Sequence, residues 1–246
     1  VSLTLDMGLS STDKKTNVGT LVLSDVEAGA KVEYSVDGGK NWSTTFSAAE
    51  GENTVLVRQT DVAGNISVAS GTYTFTLDST APTTTVSTVS LSDDTGTSGT
   101  DFITRTSAQT ISGTLSSAIA TGEVVKVSLD NGATWQTATT TVGENTYTLS
   151  GVTLSGSNTL RVRIEDAAGN ASAGITQSYT LDTTVASPTI ALSSDSGTSS
   201  TDKITNVGVV NVTGLESGAT WEYSTEDRKS TRLNSSHLGI SYAVFC

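Results

Sequence analysis

An acidic octapeptide rich in glycine and serine recurs three times along the 246-residue chain, and this recurrence constrains the fold more than any other feature. The copies read DMGLSSTD at 6–13, DTGTSGTD at 94–101 and DSGTSSTD at 195–202. Each copy begins and ends with aspartate, and neighbouring copies are separated by roughly the length of one small domain. Recurrence at this spacing predicts a tandem array of similar modules instead of one large fold.

Three further motifs recur in the first two copies and define the limits of the modules. They are an aspartate turn followed by tryptophan (VDGGKNW at 36–42, LDNGATW at 129–135), the pentapeptide D-x-A-G-N (61–65, 166–170) and a strand that starts Tyr-Thr and ends Leu-Asp (73–78, 179–182). A proline, Pro82 or Pro188, follows soon after the last motif, as is typical of a linker. We therefore predict repeat 1 at 1–82, repeat 2 at 83–188 and a truncated repeat 3, with strands A to C only, at 189–226.

The end of the chain differs in composition from the rest. It contains the only histidine, His237, and the only cysteine, Cys246. The strings DRKSTRLNSSH and ISYAVFC resemble translated pieces of a common short-read sequencing adapter. We interpret residues 227–246 as a non-native, adapter-derived tail and leave them out of the reasoning about fold. Repeat 3 is then expected to pack poorly, or to be ordered only by docking on repeat 2, because it lacks the strands that would cover its apolar face.

Alternation of apolar and polar residues predicts strands along the modules. Leu160, Val162 and Ile164 alternate with charged residues, which places the three apolar side chains on one face. The same period occurs at 32–36 and 125–129, and turn-forming Gly, Asn and Asp lie between such segments. Predicted strands lie near 1–5, 18–24, 31–36, 42–47, 53–60 and 70–77 in repeat 1, with an added strand around 147–154 in the longer repeat 2. The predicted fold is all-β, with tandem immunoglobulin-like β-sandwich modules arranged as beads on a string.

Together these motifs resemble the bacterial immunoglobulin-like repeats of large secreted adhesins and biofilm-associated surface proteins. The resemblance covers 1–226, although Met7 stands where the other octapeptides have Thr or Ser. It implies a structural stalk segment, located outside the cell or on the bacterial cell surface. Its implied partners are the neighbouring repeats of the same chain, and host or biofilm matrix components would be contacted through other domains.

The same resemblance implies calcium, a cation that prefers carboxylate and carbonyl oxygens, at the module junctions. The first candidate ligands are Asp61, Asn65, Asp78, Asp166, Asn170 and Asp182, and a second set is Asp94, Asp101, Asp195 and Asp202. Asp78 is expected to approach Asp166 and Asn170, and Asp182 to approach the acidic loop of repeat 3. Two alternatives stay open: D-x-A-G-N as a purely structural turn with a left-handed Gly-Asn pair, and the octapeptide as an acidic, solvated loop.

Composition excludes several other functions. The net charge of −12 offers no basic footprint for nucleic acid, and no apolar run approaches the roughly 18 residues of a membrane-spanning helix. Residues 1–226 contain neither His nor Cys, so they can form neither a Ser-His-Asp triad nor a Cys/His zinc site, and we predict no enzyme. Because the chain begins at Val1 without methionine, we expect an internal piece of a longer protein.

Two functional alternatives to the stalk stay open. One is an immunoglobulin-like module that binds a glycan or a host protein, which an exposed aromatic cluster would favour. The other is a spacer module of a large secreted hydrolase, which would carry its catalytic domain elsewhere. Trp42 and Trp135 are interpreted as packed aromatic residues that cover the edge of the core, not as platforms for a ligand.

Overall fold

The computed structural model describes residues 1–224, which form β-strands and, in this part of the chain, no helix. The strands are β1 Ser2–Leu3, β2 Lys15–Thr16, β3 Leu21–Val22, β4 Lys31–Ser35, β5 Gly51–Thr60, β6 Tyr73–Leu77, β7 Ser90–Leu91, β8 Ile103–Thr104, β9 Ala108–Thr114, β10 Val124–Ser128, β11 Gln136–Thr137, β12 Thr139–Thr140, β13 Thr146–Thr153, β14 Ser157–Glu165, β15 Ile175–Leu181, β16 Thr189–Leu192 and β17 Val210–Thr213. None of the described residues belongs to a helix long and apolar enough to cross a membrane. The tail predicted at 227–246 lies outside the described residues.

Strands β7 to β15 form two sheets around one core. One sheet has the order β11-β10-β14-β15-β8 and the other the order β12-β13-β9-β7. All neighbours are antiparallel except β8 and β15, which run parallel. The consecutive strands β7 and β8 thus belong to different sheets, so the start of the module is divided between the two layers of the sandwich.

The core of this sandwich follows the predicted alternation. Leu160, Val162 and Ile164 of β14 are fully buried, while Arg161 between them is exposed. They pack in one cluster with residues of the other sheet, among them Ile111 of β9. The added strand predicted around 147–154 is present as β13.

Strands β1 to β6 form a smaller sandwich with the same connectivity. Its larger sheet has the order β2-β6-β5-β4, with β2 and β6 parallel, and its smaller sheet pairs only β1 with β3. Val55 and Phe75 are its buried apolar residues, and Val57 is half-buried. The smaller sheet therefore covers less of the core than the four-stranded sheet of the second sandwich does.

Two sequence predictions for repeat 1 are wrong. No strand occupies 42–47, where only Ser43 forms an isolated bridge to Tyr34, because few residues separate Trp42 from β5. In repeat 2 the corresponding connection, between β10 and β14, is longer and contains β11, β12 and β13. Val36 does not continue the inward face of β4 but is 68% exposed, because the strand ends at Ser35 and the chain turns there.

The chain divides into two compact units, residues 1–182 and a unit that begins at Thr183. Within residues 1–182 no strand pairing crosses Pro82, so the two sandwiches have separate sheets. In the second unit β16 and β17 form an antiparallel pair, and no residue among 183–224 is buried. The lack of buried residues over 183–224 agrees with the poor packing expected for repeat 3, whereas its docking on repeat 2 and the limits of the repeats stay predictions.

Candidate functional site

The D-x-A-G-N segment of repeat 1 is a tight turn closed by its first aspartate. Oδ1 of Asp61 accepts the backbone N–H groups of Ala63 and Asn65, both at 2.8 Å. Its Oδ2 accepts the side-chain amide of Asn65 at 2.7 Å. The Asn65 amide and these backbone N–H groups hold the pKa of Asp61 below its ordinary value, because they stabilise the charged carboxylate.

The second turn is built in the same way. Asp166 accepts the N–H groups of Ala168 and Asn170 and the Asn170 side-chain amide, each at 2.9 Å. The glycine of each turn, Gly64 or Gly169, has a positive φ, of 92° and 93°. The structural turn is thus present, but only the glycine is left-handed, so the expectation of a left-handed Gly-Asn pair is wrong for the asparagine.

The turn of repeat 2 contacts the end of repeat 1. Nδ2 of Asn170 donates to the backbone carbonyl oxygen of Asp78 at 2.8 Å, in addition to its bond to Asp166. Asp78 directly follows the last strand of repeat 1. The expected approach of Asp78 is therefore confirmed for Asn170, through the carbonyl of Asp78, and its approach to Asp166 stays a prediction.

The acidic loop of repeat 1 meets the same turn, which the sequence candidates did not include. The N–H of Leu9 points to the carbonyl oxygen of Ala167 at 3.4 Å. A Cβ placed on Gly8 would lie 2.1 Å from that oxygen, so only glycine fits at this position. The octapeptide marks this loop in the sequence, because Asp6 and Asp13 align with the second set of candidates, but it does not identify the contact with the next module.

The acidic loop folds alike in all three copies. The first aspartate accepts, through Oδ2, the backbone N–H eight residues later, in the pairs Asp6–Lys14, Asp94–Phe102 and Asp195–Lys203 at 3.1, 3.0 and 2.9 Å. The last aspartate accepts the N–H two residues later, in the pairs Asp13–Lys15, Asp101–Ile103 and Asp202–Ile204. These bonds make the octapeptide an ordered loop in each copy, and most of its residues are exposed, so the alternative of an acidic, solvated loop stays open.

One oxygen in each loop receives no hydrogen bond from the protein although it is buried. It is Oδ1 of Asp6, Asp94 and Asp195, and Oδ1 of Asn17 beside the first loop is in the same situation. A buried carboxylate oxygen needs a donor or a cation, since leaving it without either costs free energy. Carboxylate oxygens of this kind are among the ligands that calcium prefers.

The carboxylates alone do not form a cation cage. Among residues 1–224 no group of three or more His, Cys, Asp or Glu side chains is arranged to hold a metal ion. A calcium ion at a loop would therefore complete its six to eight ligands with carbonyl, hydroxyl or amide oxygens and water. The backbone N–H of Asp182 donates to the carbonyl of Thr104 at 2.9 Å, and the expected approach of Asp182 to the loop of repeat 3 stays a prediction.

Both tryptophans pack under arginine. The Arg58 guanidinium lies 4.2 Å from the centroid of the Trp42 ring, and that of Arg163 lies 4.1 Å from Trp135. Arg163 alternates with the buried residues of β14, so this stack lies on the outer face of the sheet. The tryptophans are half-buried as packed aromatic residues, but on that outer face and not at the core edge.

The turn before each tryptophan is held by aspartate. The pKa of Asp37 is lowered to about 2, chiefly by the backbone N–H of Asn41. The pKa of Asp130 is likewise lowered to about 2, chiefly by the Thr134 hydroxyl. A serine two residues before each aspartate also donates to its carboxylate. These carboxylates are engaged by their own turns, which is a structural role.

Two features define a module of the immunoglobulin-like class: a sandwich of two sheets, and consecutive first strands, β7 and β8, that belong to different sheets. The D-x-A-G-N turn of this module receives the preceding module. Residues 80–183 match the family model described as a bacterial Ig-like domain. The resemblance to bacterial immunoglobulin-like repeats is thereby confirmed over these residues, and so is the predicted fold class. Domains of this kind are typically non-catalytic and occur in surface or extracellular proteins. No curated protein matches the chain.

Proposed function

We propose that the chain is a stalk segment of a bacterial surface or secreted adhesin, in which immunoglobulin-like modules dock end to end. The contact between Asn170 and the Asp78 carbonyl carries the proposal, because it links the exit of one module to the entry turn of the next. Gly8, which fits against Ala167 only without a side chain, is a second contact of the same joint. Such a segment supplies length and stiffness, without catalysis, and contacts to host or matrix components belong to other domains.

Calcium at the acidic loops is part of the proposal. Its support is the buried Oδ1 of Asp6, Asp94 and Asp195, one per loop, which the protein leaves without a donor. Bound calcium would neutralise the loop carboxylate. The loop of repeat 1 also contacts Ala167 of the next module, so an ion held there would stiffen the joint.

The test compares the chain in calcium and in chelator. If calcium binds only the folded chain, a concentration about a hundredfold above its Kd stabilises it by about 2.7 kcal/mol, which a thermal melt detects. Small-angle scattering should report a longer, narrower length distribution in calcium. Asp6→Asn should reduce both effects, whereas Asp25→Asn, which removes the same charge outside the octapeptide, should leave them unchanged. An identical melt and identical scattering in calcium and chelator would refute calcium stiffening.

The ligand-binding alternative has less support within residues 1–224. One face of Trp42 and one face of Trp135 are covered by arginine, so neither ring offers that face to a sugar. The exposed pair Trp221 and Tyr223 lies in the second unit, where no residue among 183–224 is buried. A glycan-binding site requires rigidly held aromatic rings, which the first unit uses for packing.

A further inference from the structure

The two D-x-A-G-N turns differ in exposure. Ala168 in the turn of repeat 2 is 2% exposed, whereas Ala63, at the same position in repeat 1, is exposed. Asn170 is half-buried and Asn65 is exposed. The turn of repeat 2 is covered, among others, by Gly8 and its neighbours, and the turn of repeat 1 has no such cover among the described residues of its own unit.

This difference does not come from the conformation of the turns. In each turn the aspartate accepts two backbone N–H groups and one asparagine amide, at 2.7–2.8 Å in repeat 1 and 2.9 Å in repeat 2. The first residue of each turn also donates its N–H to the asparagine carbonyl, at 3.0 Å in both. The turn of repeat 1 therefore offers the same backbone and the same asparagine amide to a neighbour.

The side chains around the turn of repeat 1 are larger and apolar. Val62 is 86% exposed, Ile66 61% and Val68 93%, at positions where repeat 2 has Ala167, Ala171 and Ala173. Val68 also lines a groove of about 300 Å³ with Val26 and Val32. Large apolar side chains exposed together around one turn are typical of an interaction surface.

We propose that Val62, Asn65, Ile66 and Val68 form a docking surface for the exit end of another immunoglobulin-like module. The occupant is identified by the joint between repeats 1 and 2. In that joint, Gly8 of the acidic loop of repeat 1 lies against the backbone carbonyl of Ala167 in repeat 2. The backbone carbonyl of Asp78, at the exit of repeat 1, accepts the side-chain amide of Asn170. When another module docks at the turn of repeat 1, the Asn65 amide donates to the backbone carbonyl at the exit of that module, as Asn170 does to Asp78. Val62, at the position of Ala167, packs against the acidic loop of that module. The inference rests on the proposed function, because it names the partner of the same type of joint.

The experiment places a known exit end before repeat 1. A second copy of residues 83–182 is joined to Ser2 of the full chain through a copy of the linker 79–89. Val62→Cys is introduced with Cys246→Ser, and its reaction rate with a soluble thiol reagent is measured with and without the added module. Val36→Cys, 68% exposed beyond the end of β4, is the matched control.

Docking should slow the reaction at Val62→Cys by about tenfold in the fusion and leave Val36→Cys unchanged. Asn65→Ala in the fusion should restore the fast reaction while the melting curve stays that of folded modules. An unchanged rate at Val62→Cys in a folded fusion, or equal slowing at both cysteines, would overturn the docking surface. Slowing of the Val62→Cys reaction in chelator supports docking that needs no metal. Slowing only in calcium supports docking that depends on calcium at the acidic loop of the added module. The scattering comparison above judges calcium stiffening separately, because it is made on the chain without the added module.

Discussion

Gly8→Ala tests the joint between the first two modules with a matched control inside the chain. Gly8 and Gly96 occupy the same position of the acidic loop, with φ of 103° and 112°. An alanine Cβ at position 8 would lie 2.1 Å from the carbonyl oxygen of Ala167, while one at position 96 meets nothing within 4 Å. Both substitutions carry the same backbone cost, and only Gly8→Ala obstructs the neighbouring module.

The size of the effect follows from this comparison. The shared cost of placing alanine at a positive φ is about 1–2 kcal/mol. At position 8 the loop must also withdraw from Ala167, which removes the contact at Leu9 and loosens the bond from Asn170 to Asp78. A net hydrogen bond contributes about 0.5–1.5 kcal/mol, so the docked joint should lose about 1–2 kcal/mol. That loss raises the undocked population by a factor of about 5–30.

Hydrogen exchange measured on the segment 166–170 gives the readout. Its amides should exchange faster in Gly8→Ala by about that factor, because the covering loop opens more often. In Gly96→Ala the segment should exchange as in the unmodified chain, although the melting temperature of repeat 2 falls. If both variants change the exchange of this segment equally, or neither does, the loop of repeat 1 does not hold the joint.

Three further outcomes are expected. Leu160→Ala, at a fully buried position, should destabilise repeat 2 by about 2–5 kcal/mol in denaturant unfolding, with a smaller change refuting its place in the core. Tyr147→Phe should cost about 0.5–1.5 kcal/mol, since it removes the hydrogen bond from the hydroxyl of the buried Tyr147 to the Thr88 carbonyl, and an unchanged melt would contradict that bond. The pKa values of Asp37 and Asp130, about 2 when folded against 3.8 as the ordinary value, are depressed. Their stabilisation is therefore present above about pH 4 and lost between about pH 4 and 2, which melts across that range would show; a flat profile there would exclude it.

The β architecture could be predicted from the sequence where alternation is strict. Leu160, Val162 and Ile164 are buried as expected, because a strand buried on one face requires apolar residues at every second position. The failure at Val36 has a local cause: the buried Ser35 ends the strand by donating to the Asp37 carboxylate and accepting from Gly39. Side-chain bonds of this kind compete with the ladder and are not visible in hydrophobic periodicity.

The candidate site was predicted in part. D-x-A-G-N identified the entry turn and its approach to Asp78, because turn motifs are local in sequence. Gly8 was missed because its role depends on a contact with Ala167 in the next module, which no local pattern encodes. The buried oxygen of Asp6 was missed for a related reason, since burial depends on the folded loop and not on composition.

The parallel pairing near the two ends of each module has a mechanical consequence. In repeat 1, the carbonyls of Lys14, next to β2, and of Thr16, in β2, accept the N–H groups of Thr76 and Asp78. In repeat 2, the carbonyls of Phe102, next to β8, and of Thr104, in β8, accept those of Thr180 and Asp182. Because the chain enters each module near the first strand of the pair and leaves from the second, tension along the polypeptide slides the two strands past each other. The hydrogen bonds then bear the load together instead of opening one after another, so a pulled module resists extension until the whole pair gives way.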